Sequence, residues 1–134
     1  MPTIRAYTTI EQSKKLEEIL SSESADMEYL TIKETGLLIG NVPFAKDDSE
    51  VEDSAYSHNY NRIACWSLAA LLKVIPKHIK NVNTLRIDID EKDFSIWYDE
   101  VGYGVNTELP DITMENPVDA CYEIITKLHE LKIL

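Results

Sequence analysis

Apolar residues dominate one stretch of the chain, from Cys65 to Pro76, and this pattern predicts a buried helix. The only strongly polar residues in the stretch are Ser67 and Lys73, so a helix over 64–75 would be apolar on nearly every side. Such a helix is normally buried. Pro76 lacks a backbone donor and disfavours helical angles in the residue before it, so the helix should end there. We expect the other elements to be arranged around this helix.

A second helix is predicted near the start of the sequence. Thr8 with Glu11, or Thr9 with Gln12, has the spacing of a capping box, in which side chains satisfy the free backbone donors of a helix start. The apolar residues that follow fall on one side of a helix over 9–20.

The third predicted helix covers residues 117–131. Asn116 can cap it, Pro117 suits its first position, and Asp119 is favourable in its first turn. Its apolar residues form one broad face, which we expect to pack on a sheet.

Alternating apolar and polar residues predict a three-stranded antiparallel meander over 84–107. Residues 84–90 alternate throughout, and residues 94–98 and 103–107 follow after short turns. Three strands with one apolar face need a layer of helices over that face. On the first strand, the positions expected to be buried are Leu85, Ile87 and Ile89.

A weaker pair of strands is predicted over 27–42. Residues 27–33 are rich in β-branched and aromatic types, residues 34–36 can form a turn, and residues 37–42 are again mostly apolar. Together they have the pattern of a hairpin, which we expect to extend the sheet of the meander.

These elements predict a single α+β domain over residues 1–134. Helices 64–75 and 117–131 would pack on one face of the antiparallel sheet. The helix over 9–20 would lie at an edge of the sheet or on its other side. A chain of this length can bury most of the apolar surface of its unfolded form.

Acidic residues outnumber basic residues, 24 to 13, which gives a net charge of -11. Because contact with phosphates needs a basic face, this balance argues against direct binding to nucleic acid. It favours a basic protein partner, since the opposite charges would accelerate the encounter.

Acidic residues are densest in a polar segment over 43–58, which has no helix or strand pattern. A loop of this length is uncommon in a compact domain unless it is flexible or functional. We predict either a solvated flexible loop or an acidic patch for a basic partner. Calcium binding is disfavoured, because the segment has no glycine where an EF-hand loop turns. The acidic residues concerned are Asp47, Asp48, Glu50, Glu52 and Asp53.

The pattern predicts neither a membrane protein nor a secreted one. The first residues lack the apolar core of a signal peptide, and no run of 18 apolar residues occurs. Cys65 and Cys121 are far apart in the sequence and lie among apolar residues. We therefore expect two buried thiols in the reducing cytoplasm rather than a disulfide.

Catalytic and metal-binding patterns are weak. Cys65 near a helix start could form a reactive thiolate with His58 or His78, although packing is the simpler interpretation. Residues 88–99 can be aligned with a calcium loop, but Asp93 stands where that loop needs glycine. The sequence has no CxxC, no HxxxH, no G-x-S-x-G and no glycine-rich phosphate loop. We predict no catalytic residue, no metal and no cofactor.

Trp97 is the candidate binding residue within the predicted strands. Its alternate neighbours face the core, so Trp97 should lie on the outer face of the sheet. With Tyr103, or with Tyr29 if the strands are neighbours, it could form an exposed aromatic patch of the kind that marks binding surfaces. The alternative is that the first helix or the acidic segment covers Trp97.

Three parts of the chain show a family resemblance, and they run from Thr9 to Leu16 and Glu23 to Met27, from Cys65 to Leu72, and from Asn116 to Cys121 and Lys127 to Leu131. On these segments the chain resembles a family of small uncharacterised proteins encoded by gut anaerobes and their phages or mobile elements. The resemblance implies a phage or mobile-element setting. It implies no activity, ligand or catalytic residue.

Taken together, the pattern predicts an intracellular, non-enzymatic protein-interaction module. The module would act through segment 43–58 and through the aromatic sheet face around Trp97 and Tyr103. One alternative is a nucleic-acid mimic that blocks a DNA- or RNA-binding protein, and another is a small enzyme with a pocket near Cys65. The pattern is also consistent with a homodimer through the open sheet face or an edge strand, because an uncovered face or edge of a sheet tends to pack against another chain.

Overall fold

The computed structural model describes residues 5–40, 42–46 and 59–134. This part of the chain forms α-helices and β-strands in two antiparallel sheets, which confirms the predicted α+β class. Within the same ranges, no helix has both the length and the apolar character needed to cross a bilayer. In chain order the elements are α1 (Ile10–Glu17), a 3₁₀ turn (Ser22–Ser24), β1 (Met27–Ile32), β2 (Phe44–Ala45), β3 (Tyr60–Cys65), α2 (Leu68–Val74), β4 (His78–Ile79), β5 (Asn83–Ile89), β6 (Phe94–Glu100), β7 (Gly104–Val105), β8 (Ile112–Met114) and α3 (Pro117–Glu130).

The predicted meander is present at the centre of the second sheet. The strand order is β4-β5-β6-β7, and β8 also pairs with β6. β4 is short and lies opposite Asn83 and Thr84 of β5 only. One further bond follows, from the N–H of Leu85 to the carbonyl of Lys77. Among the described residues, this edge of β5 is therefore bare from Arg86 onward.

The first sheet has the order β2-β1-β3 and is separate from the second sheet. The second strand of the predicted hairpin over 27–42 is reduced to a short antiparallel contact with β1, and the hairpin does not extend the meander. As far as the structure describes residues 37–42, they form one isolated bridge, between Leu38 and Thr31. Leu37 is 63% exposed, so this apolar run has no core to pack on. β1 pairs instead along its whole length with β3, a strand that the sequence pattern did not indicate.

α2 begins later than predicted, at Leu68 instead of residue 64. Residues up to Cys65 belong to β3, and Ser67 is the N-cap, with its hydroxyl accepting from the N–H of Ala70. The carboxylate of Asp26 accepts from both the backbone N–H and the hydroxyl of Ser67. A serine N-cap strongly favours a helix that begins at the next residue. The helix ends just before Pro76, as predicted.

α1 begins as predicted, with the capping box of Thr9 and Gln12, and ends earlier, at Glu17. Gln12 and Arg5 both donate to one carboxylate oxygen of Asp119, at 2.8 and 2.6 Å. This carboxylate lies in the first turn of α3. α1 packs against β3 and is joined to α3 by the bond from Gln12, while Arg5 ties the chain before α1 to the same carboxylate.

α3 also begins as predicted, with Asn116 as its cap and Pro117 in its first turn. It packs across the inner face of β6 and β8, and α2 packs beside it. The helices and this face of the second sheet therefore share one core. The largest fully buried apolar side chains are those of Leu16, Leu30, Trp66, Leu71, Ile75, Ile96, Tyr98, Val118, Ile124, Ile125 and Leu128.

The buried face of β5 is shorter than predicted. Ile87 and Ile89 lie opposite Ile96 and Phe94 of β6, which places them on the apolar face. They are nevertheless 41% and 76% exposed, because no described element covers that end of the strand. Alternation correctly predicts which side chains share a face, but the extent of the cover depends on where the helices lie.

Candidate functional site

Trp97 lies on the outer face of the second sheet, as predicted. β6 alternates between buried residues on its inner face and partly exposed residues on its outer face. In the register with β5, Trp97 is directly opposite Arg86. None of the described outer-face residues of β5 and β6 is buried, whereas α3 covers the inner face. Within the part of the chain that the structure describes, this outer face is therefore open.

Hydrogen bonds hold the Trp97 side chain in place. Its indole N–H donates to one carboxylate oxygen of Asp99 at 2.8 Å, and Arg86 Nε donates to the other oxygen at 3.2 Å. The indole is half-buried and already oriented. A side chain fixed in this way loses little entropy when a partner covers it.

Tyr103 lies in the turn between β6 and β7 and is 82% exposed. The predicted strand over 103–107 is therefore reduced to β7, which begins after Tyr103. Val101 and Val105 flank it and are 69% and 47% exposed. Val105 is directly opposite Asp99, the residue that fixes Trp97. The β6-β7 hairpin thus presents two aromatic and two aliphatic side chains, which we call the hairpin patch: Trp97, Val101, Tyr103 and Val105.

Tyr29, the other aromatic residue considered for this surface, is not part of it. It belongs to β1 in the first sheet and is buried, with its hydroxyl donating to the carbonyl of Thr8 at 2.7 Å. The cause is the separation of the two sheets, which the sequence pattern did not indicate.

The chain around the hairpin patch is strongly acidic. Residues 83–115, from β5 to the end of the loop after β8, contain nine acidic and two basic residues. All of them lie within the described chain. The acidic residues predicted to act in segment 43–58 fall outside the described residues, and that prediction stays a prediction: Asp47, Asp48, Glu50, Glu52 and Asp53.

Cys65 belongs to a buried polar cluster that the sequence did not predict. The hydroxyl of Thr8 lies 2.8 Å from that of Ser13 and 3.5 Å from the Cys65 sulfur. The N–H of Trp66 donates to the same hydroxyl at 3.2 Å. Burial raises the pKa of the Cys65 thiol, although hydrogen bonds from its neighbours partly oppose this. Thr8 and Ser13 lie far from Cys65 in the sequence, so no local spacing could have indicated the cluster.

The surroundings of Cys65 are those of a structural thiol. A nucleophilic cysteine needs a lowered pKa and access to solvent, whereas Cys65 is 0% exposed. His78 is exposed on β4 in the other sheet, and His58 lies outside the described residues. Among the described residues, the hydrogen-bond partners of the sulfur are hydroxyls and the backbone carbonyl of Thr8, none of which is a general base.

Both thiols are therefore expected to react slowly with an alkylating reagent at neutral pH. Cys121 is also fully buried, and burial raises its pKa to about 12. Because a buried thiol reacts only when the fold opens, labelling should be roughly a thousandfold or more slower than in denaturant. Iodoacetamide labelling followed by mass spectrometry measures both sites at once. Fast labelling of Cys65 alone in the native protein would contradict this and favour the enzyme hypothesis.

Comparisons of the chain with protein-family models, with curated proteins and with solved structures found no match.

Proposed function

We propose that the protein is a non-enzymatic, cytoplasmic interaction module that binds a basic protein through the hairpin patch. The observation that carries this proposal is that, among the described residues, the outer face of the second sheet is open at the oriented Trp97 indole, and the turn that follows β6 leaves Tyr103 82% exposed. An exposed tyrosine and two exposed valines on one hairpin, together with a half-buried indole, form an apolar group of the kind that often marks a binding surface.

The composition of the hairpin patch is suited to binding a protein. Tryptophan and tyrosine are the residues that most often dominate the energy of protein interfaces. Trp97 contributes a flat half-buried indole, and Tyr103 contributes a ring and a hydroxyl in full contact with solvent. Arg86 and Asp99 add charged groups that can fix the register of a partner.

A basic partner is supported by the charge of this part of the chain. Residues 83–115, which include the hairpin patch, carry nine acidic and two basic residues. Opposite charge on a partner accelerates its encounter and disfavours acidic competitors. Segment 43–58 would add a second acidic contact, as its sequence predicts. The family resemblance supports a phage or mobile-element setting for this interaction.

The test is capture of partners by the tagged protein from its native cytoplasm, followed by mass spectrometry and titration with the purified partner. We expect one basic protein to bind at low salt and to be lost at high salt. Replacing Trp97 with alanine should weaken that binding by about 2 kcal/mol or more, roughly thirtyfold. Tyr103→Ala should weaken it in the same direction and cannot disturb the core, because the side chain is exposed.

Leu37→Ala is the matched control, because Leu37 is a 63% exposed apolar residue outside the second sheet. It should leave the affinity unchanged. A further variant neutralises the five acidic residues of segment 43–58, namely Asp47, Asp48, Glu50, Glu52 and Asp53. If neither the aromatic variants nor this variant changes the affinity, the surface assignment is wrong.

A nucleic-acid mimic is the second candidate, and the acidic surplus of residues 83–115 favours it. In that case the captured partner would itself bind DNA or RNA, and the protein would compete with the nucleic acid in a salt-sensitive manner. A partner whose nucleic-acid binding is unaffected by this protein would exclude the mimic and leave the simpler interaction module.

A further inference from the structure

A cavity of about 360 Å³ lies between the end of α3, the turn that joins β4 to β5, and the loop that follows β7. Its size is at the lower end of the range for small-molecule sites. Two lysines, Lys80 and Lys132, line it together with two amide side chains, Asn83 and Asn106. No residue of the hairpin patch lines this cavity, and the inference drawn from it is independent of the proposed function.

Both lysines occupy backbone positions that disfavour lysine. Lys80 has φ 55° and Lys132 has φ 62°, and the only other non-glycine residue with positive φ in the described chain is Asn81, next to Lys80. Side chains with a Cβ are strained in this left-handed region, where glycine and asparagine are favoured. Residues held in such conformations are frequent at functional sites.

The fold explains the conformation at Lys132 but not the choice of lysine. α3 ends in a Schellman motif, in which the N–H of Ile133 donates to the carbonyl of Leu128 and that of Lys132 to the carbonyl of His129, at 2.9 and 3.0 Å. This motif needs a left-handed residue and is usually completed by glycine. The ammonium group therefore adds something that the turn itself does not need.

The two asparagines form an oriented pair at the cavity. Asn83 is only 5% exposed, and its Nδ2 donates to the carbonyl of Ile79 at 3.2 Å. Its Oδ1 accepts from Asn106 Nδ2 at 2.9 Å, and Asn106 Oδ1 accepts from the N–H of Glu108. Each amide nitrogen carries two hydrogens and uses one of them in these bonds, so each has a second N–H donor.

The other residues that line the cavity are apolar, apart from one acidic residue. Leu109 and Ile133 supply apolar walls, and both are partly buried against the core. Glu108 supplies one carboxylate. An anionic group would therefore have to lie on the side of the lysines, with an apolar body against the walls.

We propose that this cavity binds a small organic carboxylate with an apolar body, whose charged group lies between Lys80 and Lys132 and accepts from the side-chain amides of Asn83 and Asn106. Ammonium groups and amide donors together are the usual partners of a carboxylate. The chain as a whole is negatively charged, with 24 acidic and 13 basic residues, whereas this cavity is lined by two lysines.

The test uses 8-anilinonaphthalene-1-sulfonate, an apolar anion whose fluorescence rises when it leaves water. The variant is Lys80→Asn with Lys132→Gly, which removes both charges and introduces residues that tolerate positive φ. We expect this variant to bind the probe roughly tenfold more weakly, since two partly exposed charge pairs are lost. Its melting temperature should be equal to or above that of the parent protein, which separates lost binding from lost folding.

The matched control is Lys73→Gln with Lys92→Gly, which removes the same charge at exposed positions outside the cavity. It should bind the probe as the parent protein does. The side-chain amide signals of Asn83 and Asn106 should shift in NMR spectra on addition of the probe, and Glu108→Gln should bind it at least as tightly. Equal binding by the Lys80 and Lys132 variant, an equal loss in the control, or unmoved amide signals would each overturn the proposal.

Discussion

Replacing Trp66 with alanine is expected to lower the free energy of unfolding by about 3–5 kcal/mol, the range for a large aromatic residue removed from a core. Trp66 is 0% exposed and packs among the helices and the inner face of the second sheet. Its indole N–H donates to the hydroxyl of Ser24 at 2.9 Å. The substitution thus leaves a cavity and also releases the 3₁₀ turn from the core.

Urea unfolding followed by far-ultraviolet circular dichroism measures this effect without depending on tryptophan fluorescence. Trp66→Phe is the control, because it keeps most of the apolar contact and loses only the bond to Ser24 and part of the ring. We expect it to cost about 1–2 kcal/mol. A loss of less than about 1 kcal/mol in Trp66→Ala would show that this side chain does not have the packing described here.

The protein is expected to lose stability steeply as the pH rises above about 9. Burial raises the pKa of Cys121 from 9.0 to about 12. Burial also raises the pKa values of Tyr29, Cys65 and Tyr98. Below pH 9 these groups are protonated in both states, so their contribution to stability is fully present. Above it the unfolded chain releases protons that the folded chain retains, which favours unfolding by up to about 1.4 kcal/mol per pH unit for each group.

Urea unfolding at a series of pH values between 7 and 11, with a reductant present, measures this slope. Tyr98→Phe removes one titrating group whose hydroxyl donates to the carbonyl of Pro76 at 2.7 Å. It should cost about 1 kcal/mol at pH 7 and should make the alkaline slope shallower. A slope that is unchanged in this variant would exclude Tyr98 as a source of the alkaline loss.

The elements that the sequence predicts best are those set by residues close together in the chain. The start of α3 depends on Asn116 and Pro117, which act on the turn that contains them, and the β5-β6 hairpin depends on an alternation interrupted by one short turn. Both were predicted within a few residues. The sequence pattern does not single out Ser67 as the N-cap, although its bond to the N–H of Ala70 is local, because apolar residues lie on both sides of it. The contact of Ser67 with Asp26 joins residues that are distant in sequence and close only in the fold.

Strand pairing between distant segments could not be predicted in the same way. β3 pairs with β1 across a long stretch of chain, and its exposed polar residues Asn61 and Arg62 give it no apolar pattern. The apolar residues of 37–42 gave a stronger strand signal and yet lie mostly in solvent. A strand is selected by the partner available to it, and that partner is a property of the whole fold.

At the candidate sites, too, the features with a local sequence signal could be predicted and those formed by distant segments could not. Alternation placed Trp97 on the outer face, and the register across the short turn was enough in principle to put Arg86 opposite it. The cavity of Lys80 and Lys132 could not be predicted, because its residues come together from a turn, a loop and a helix end. Its only sequence signal would have been lysine at a position where a helix ends and glycine is expected.

The bare edge of β5 has a consequence for self-association. Unpaired strand edges are templates for edge-to-edge aggregation, and exposed isoleucines beside such an edge increase the hazard. In β5 the isoleucines alternate with Arg86, Asp88 and the following Asp90. If copies of the chain stacked in parallel register, each of these charged residues would lie next to the same residue of the neighbouring copy, and the like charges would repel. The charged residues on one face of β5 thus oppose fibril growth along an edge that the described fold leaves open.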